Sequence, residues 1–222
     1  TTIAKTWYLQ EIPFKISPEL TISLLEEKIN KEISLLNITL PQDFKIIYSE
    51  KTDDVLRKMM LVSDNFIAEQ VLLVCSSTLS NDLSTKVIID YSKTNFMKEF
   101  ANDIVWVDGS GLSRYNLFTP NTSIILLKKI SLTINDEERL HSLFPAGGVS
   151  GTLKRAYKTD ADKPFVWAKT GTLTNVYNQS GYIITRKGKK LIYSLMNNNF
   201  TRTTEEIRDE MARIITKIHN DY

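Results

Sequence analysis

The sequence predicts an α+β fold on three observations. Helix-period apolar patterns fill most of residues 18–157, short strand patterns spaced as an antiparallel run follow residue 165, and an amphipathic helix closes the chain. A chain of 222 residues fits one large domain or a domain and a half. At that size folding buries roughly 70% of the unfolded surface, so no disulfide or metal staple is required.

The first helix is expected over 18–35, with Ser17 as N-cap, Pro18 at the first helical position and Leu20, Leu24, Ile29 and Ile33 at near-helical spacing. A strand over 44–48 follows the Pro41-Gln42-Asp43 turn. A second helix begins near Asp53 or Asp54, carries Val55, Leu56, Met59 and Met60, and runs to Val62. A third starts after Ser63-Asp64-Asn65 and includes Phe66, Ile67, Val71 and Leu72, and a fourth covers 84–100. Asp108-Gly109-Ser110-Gly111 is a dense turn signal, with the Asp108 carboxylate suited to cap the turn. Thr119-Pro120 then marks a helix start leading into Ile124 to Leu127. Gly147-Gly148 opens a loop before a short helix near 152–157. Strands are expected over 165–169, 180–185 and 190–196, the last two joined by Arg186-Lys187-Gly188. Thr203 and Glu206 suit a capping box for the final helix, whose apolar stripe is Ile207, Met211, Ile214, Ile215 and Ile218. There is no internal repeat and no low-complexity linker.

Composition excludes several classes. Hydrophobic residues at 42% and charged residues at 24% are ordinary for a soluble globular protein. A net charge of +2 gives no reason to expect nucleic acid as a partner. The densest basic run, Arg186, Lys187, Lys189 and Lys190 around Gly188, reads as a hairpin tip. Cys75, the only cysteine, cannot form an internal disulfide and in its apolar run reads as a small buried hydrophobe. His141 and His219 lie far apart, so no metal or other cofactor is expected; His141 reads as a helix-end or packing residue. Trp106 and Trp167 read as core aromatics near a cleft, and Asn197-Asn198-Asn199 as a strand end. No apolar stretch approaches the roughly 20 residues of a transmembrane segment. With no initiator Met and no signal peptide, the sequence reads as a mature or truncated form.

Two tripeptides carry chemistry: Ser63-Asp64-Asn65 between two predicted helices, and Lys169-Thr170-Gly171 on a predicted strand. With a Ser-x-x-Lys nucleophile they form the signature set of class A β-lactamases and penicillin-binding proteins. The chemistry suits these residue types. A serine hydroxyl needs a neighbouring base, and a lysine serves only if burial or nearby cations lower its pKa. Ser63 is expected to relay a proton to the departing amine, and Asn65 to bond the substrate's acyl-side carbonyl and the base lysine. Lys169 supplies a positive field for a terminal carboxylate, with hydroxyls from Thr170 and Thr172. A strand edge after Gly171 can present a backbone N–H, that of Thr172, to an oxyanion.

The segment 60–70 around Ser63 is similar to the second-motif region of class C low-molecular-mass penicillin-binding proteins, the serine D-alanyl-D-alanine carboxypeptidase/endopeptidases that trim peptidoglycan. Residues 108–116 with Thr119-Pro120 resemble that family's internal signature, and 144–154 and 168–173 resemble the approach to the third motif and the motif itself. The match runs from about Ser17 to the C-terminus. It implies the penicilloyl-serine transferase (β-lactamase/transpeptidase-like) fold, stem peptides and β-lactams as partners, and a periplasmic or otherwise extracytoplasmic location. It also implies that 1–16 is the tail of an upstream or inserted segment and 17–222 the C-terminal part of the penicillin-binding domain.

The departure is the nucleophile. No serine has a lysine three residues on; Thr2-Ile3-Ala4-Lys5 is the nearest approximation, on a terminal stretch that lacks a rigid helix start. The chain is therefore expected to begin inside the enzyme and to be inactive alone. A serine β-lactamase of the same fold, or a degenerate module that binds cell-wall peptides without cleaving them, are the alternative readings.

Overall fold

The computed structural model describes residues 15–39, 41–80, 83–157 and 163–222. They belong to two compact units, Thr1–Tyr48 and Ser49–Tyr222. Thr2, Lys5 and the segment through Pro13 lie outside the described residues.

In the first unit, α1 (Pro18–Ile29) starts as expected, with Leu20 N donating to Ser17 Oγ at 3.2 Å. It stops six residues earlier than its apolar pattern suggested. Asn30 takes a left-handed conformation (φ 51°, ψ 47°), and the Glu26 carboxylate accepts from Ile33 N at 2.9 Å. The expected strand over 44–48 does not form. That segment has no strand partner among the described residues, and side-chain alternation cannot satisfy a strand's backbone groups.

The second unit holds α2 (Thr52–Val62), α3 (Asn65–Ser77), α4 (Thr85–Asn95), α5 (Pro120–Ile134), α6 (Glu137–Ser142), β1 (Val166–Leu173), β2 (Val176–Ile184), β3 (Lys190–Asn198) and α7 (Thr204–Asp221). The strands form an antiparallel sheet in the order β1-β2-β3, so the α+β reading holds. β1 and β2 are longer than expected because Leu173 pairs with Val176 across a two-residue turn, where Asn175 takes φ 60°. The β2–β3 tip falls at Arg186–Lys189, as expected.

Alternation along β1 splits the core between the two faces of the sheet. Val166 and Ala168 pack with Leu153, Ile183, Tyr193 and Ile215 beneath α7. Trp167 joins Leu127, Leu140, Phe144 and Tyr182 against α5 and α6. A third cluster, Leu72, Ile88 and Ile89 with Trp106, ties α3 to α4. The capping box expected at Thr203 and Glu206 forms, and Thr119, the expected N-cap of α5, makes a second one with Thr122.

Three local expectations are corrected. Cys75 is exposed, because five consecutive helical residues (71–75) sweep the whole circumference and only the Leu72–Ser76 stripe faces inward. The fourth helix ends at Asn95, where Phe96 N returns to Ser92 O, and a separate 3₁₀ turn follows at Ala101–Asp103. The short helix expected near 152–157 is a single 3₁₀ turn, Gly151–Leu153. The six-residue α6, capped by Asp136, is too short to show a period and was not expected.

Candidate active site

Ser63, Asp64 and Asn65 form the joint between two helices. Ser63 is the C-cap of α2 in a left-handed conformation (φ 57°, ψ 52°). Asp64 N donates to Met59 O at 2.9 Å, and the Asp64 carboxylate caps α3 by accepting from Ile67 N at 2.9 Å. The aspartate is thus structural. It fixes where Ser63 stops and where α3 starts. Asn65 is exposed at the first position of α3, and among the described residues no hydrogen bond joins it to Ser63 or Lys169.

Lys169 comes from the middle of β1, on the face shared with Trp167. Its Nζ donates to Ser63 Oγ at 2.6 Å and to Thr170 O at 2.6 Å, joining two motifs 106 residues apart. Burial lowers its pKa below the ordinary lysine value, because leaving water disfavours the charged amine. Close approach of α2 depends on Gly151, at φ 56°: a Cβ there would lie 2.6 Å from Leu61 O and 3.1 Å from Pro145 Cβ.

Beyond Lys169 the outer edge of β1 becomes free. Pro145 and Gly147 cover its beginning, with Ala168 N donating to Pro145 O (3.0 Å) and Gly147 N to Val166 O (2.9 Å). Backbone groups alternate along a strand, so the N–H and C=O of Thr170 and Thr172 point to that same edge. No strand among the described residues covers it there. Gly171 has open space at its Cα and Thr172 is exposed. Thr170 differs: it is buried on the α7 face and its hydroxyl donates to Thr152 Oγ1 at 2.9 Å.

The turn at 108–116 is built by carboxylates. Asp108 accepts from Gly111 N, Ser113 N and Asn116 Nδ2 at 2.7–2.8 Å, as its position in the turn suggested. Glu69 of α3 accepts from Gly109 N (3.1 Å) and Ser110 N (2.9 Å), a role that sequence reasoning missed. Its only sequence signal is its place four residues after Asn65, on the same helical face. Arg114 then donates to Thr174 O at 3.1 Å, tying the turn to the end of β1. His141 stacks on Trp167 (3.7 Å between centroids, 5° between planes), and burial lowers its pKa. It is a packing residue, as its sequence position suggested.

A Ser-Asp-Asn joint facing a strand lysine, on a three-stranded sheet clamped by a terminal helix, defines the fold class shared by penicillin-binding proteins and serine β-lactamases. The chain belongs to the D-Ala-D-Ala carboxypeptidase 3 (S13) family, which it matches over residues 34–218. It is 31% identical over 183 residues to the D-alanyl-D-alanine carboxypeptidase DacB of Haemophilus influenzae, covering 78% of this chain and 37% of that protein. The crystal structure of penicillin binding protein 4 (dacB) from H. influenzae is 26% identical with a TM-score of 0.65, over 75% of this chain and 39% of that one. A class A β-lactamase from Bacteroides cellulosilyticus shares the fold alone, at 16% identity and a TM-score of 0.55, over 75% and 62% of the two chains. The chain thus spans well under half the length of the curated relative it matches. No helix among the described residues is long and apolar enough to cross a membrane.

Proposed function

We propose that this chain is the C-terminal part of an extracytoplasmic D-alanyl-D-alanine carboxypeptidase/endopeptidase that trims peptidoglycan through an acyl-serine intermediate. The observation that carries this reading is the 2.6 Å contact between Lys169 Nζ and Ser63 Oγ beside a strand edge that no other strand among the described residues covers. Family membership supports the substrate class, stem peptides ending in D-alanine, with β-lactams as their mimics.

The residues divide the work as follows. Lys169 attracts the terminal carboxylate of the peptide and polarises the Ser63 hydroxyl. Ser63 passes a proton to the departing amine. Asn65, at the mouth of α3, donates its amide to the acyl-side carbonyl. The free amides of β1 align the peptide as an added strand, and the Thr172 N–H faces the developing oxyanion. Gly171 keeps that edge open and Thr172 offers a hydroxyl to the carboxylate. Thr170, bonded to Thr152, acts mainly through its backbone.

The attacking serine is supplied by residues outside these 222, which contain no Ser-x-x-Lys. Fluorescent-penicillin labelling tests the reading. The 222-residue chain alone should remain unlabelled, and a longer gene product carrying Ser-x-x-Lys upstream should form an adduct that Lys169→Ala slows by two orders of magnitude or more, the scale of one transition-state electrostatic contact. A covalent adduct on the 222 residues would overturn the division of labour. A longer product that binds stem peptide without acylation would favour a non-catalytic module, and rapid hydrolysis of nitrocefin a β-lactamase.

A further inference from the structure

The basic run Arg186, Lys187, Lys189 and Lys190 takes no part in the site around Ser63. It forms the β2–β3 tip, closed by Gly188 N donating to Thr185 O and Thr185 N to Lys189 O, each at 2.9 Å. Two other elements reach the same end of the sheet. Ile184 N donates to Phe165 O at 2.9 Å, so the chain at Lys163 enters β1 beside the tip. The end of α7 is fastened there by Arg186 N donating to His219 O (2.8 Å) and Lys187 Nζ to Asp221 O (2.9 Å).

Lys190 and Lys217 are neutralised by Glu137 and Asp221. Among the described residues Lys163, Arg186, Lys187 and Lys189 are exposed and have no ion pair. Four unpaired cations on one rim, in a chain of net charge +2, are a local segregation of charge. Two apolar groups flank them: Tyr222, 56% exposed and next to Asp221, and Leu191, 37% exposed and next to Lys190. The site at Thr172 lies about 20 Å further along β1, six residues at roughly 3.3 Å each.

We propose that this end of the sheet docks on the surface of an anionic phospholipid bilayer. The cations meet head-group phosphates, while Tyr222 and Leu191 enter the interfacial layer, where aromatic rings and aliphatic side chains settle. A soluble polyanion would engage the cations without using Tyr222 or Leu191, and this favours a bilayer. Docked so, the enzyme keeps the Ser63–Lys169 cleft displaced from the lipid.

Vesicle co-sedimentation of the 222-residue chain tests this without any need for catalysis, so its result is independent of the proposed activity. Binding is expected to vesicles of phosphatidylcholine with phosphatidylglycerol, to be absent with phosphatidylcholine alone, and to be released by 0.5 M salt. Arg186→Ala with Lys189→Ala should lower the partition coefficient roughly 25-fold, about fivefold per cation. Leu191→Ser should weaken binding to the same anionic vesicles at low salt, and Lys98→Ala with Lys128→Ala, exposed cations elsewhere, should leave it unchanged. Equal binding to neutral vesicles, no binding to anionic ones, retention of inorganic polyphosphate in place of vesicles, or full binding by the Arg186/Lys189 double variant would each overturn the proposal. Unchanged thermal unfolding of the variants excludes misfolding as the cause.

Discussion

At the scale of single residues, Lys169 is held where its charge is disfavoured, and stability should report it. Its folded pKa lies below the ordinary value of 10.5. Between the lowered value and 10.5 the unfolded chain therefore binds more protons than the folded one, and stability rises with pH across that window. The Tm of the parent minus that of Lys169→Met should increase from neutral pH toward pH 10, measured by differential scanning fluorimetry. A flat difference would mean that the amine is solvated. Gly151→Ala should cost about 2 kcal/mol or more, since left-handed strain adds to a clash with Leu61 O, and lower Tm by roughly 4–8 °C. The two motifs were legible because each sat in a recognisable local frame, a helix joint and a strand, whereas the bond between Ser63 and Lys169, 106 residues apart, appears only in the fold. The role of Glu69 was not, because its partners lie 40 residues away and nothing local distinguishes that carboxylate.

At the scale of elements, what was local in cause was legible. Ser17, Thr119 and Thr203 cap their helices from the sequence positions that suggested them, since an N-cap bond spans only three residues. What failed depended on partners or geometry beyond the window. The segment 44–48 had strand composition but no partner among the described residues, Cys75 sat in a run that a helix must distribute around its circumference, and α6 was too short for a period. The Asp64 cap illustrates how an element sets a site. Asp64→Ala should lower stability by about 1 kcal/mol, seen as a lower urea midpoint with an unchanged slope. It should also reduce acylation of the longer gene product more than that small loss accounts for, because the entry of α3 fixes both Ser63 and Asn65. Full acylation by Asp64→Ala would make the cap irrelevant to the site.

At the scale of the whole molecule, the three buried clusters all belong to the unit Ser49–Tyr222, and α1 contributes no buried residue. A fragment beginning at Ser49 should therefore retain a single cooperative thermal transition by circular dichroism. A non-cooperative melt would show that residues before Ser49 complete the core. The α+β class was legible from the order of periods along the chain. The crossing of α2 over the loop before β1 was not, because it rests on a glycine whose need appears only when two distant segments touch. Under the proposed function, the open edge of β1 has a consequence for drug resistance. An inhibitor held by the amides of Thr170 and Thr172 grips main chain, which nearly every substitution leaves in place. Only proline deletes an amide N–H, and proline there would also cripple the strand that carries Lys169. Escape from such a compound must therefore come from residues that crowd the entrance or shift the strand, and those are the positions to watch in resistant isolates.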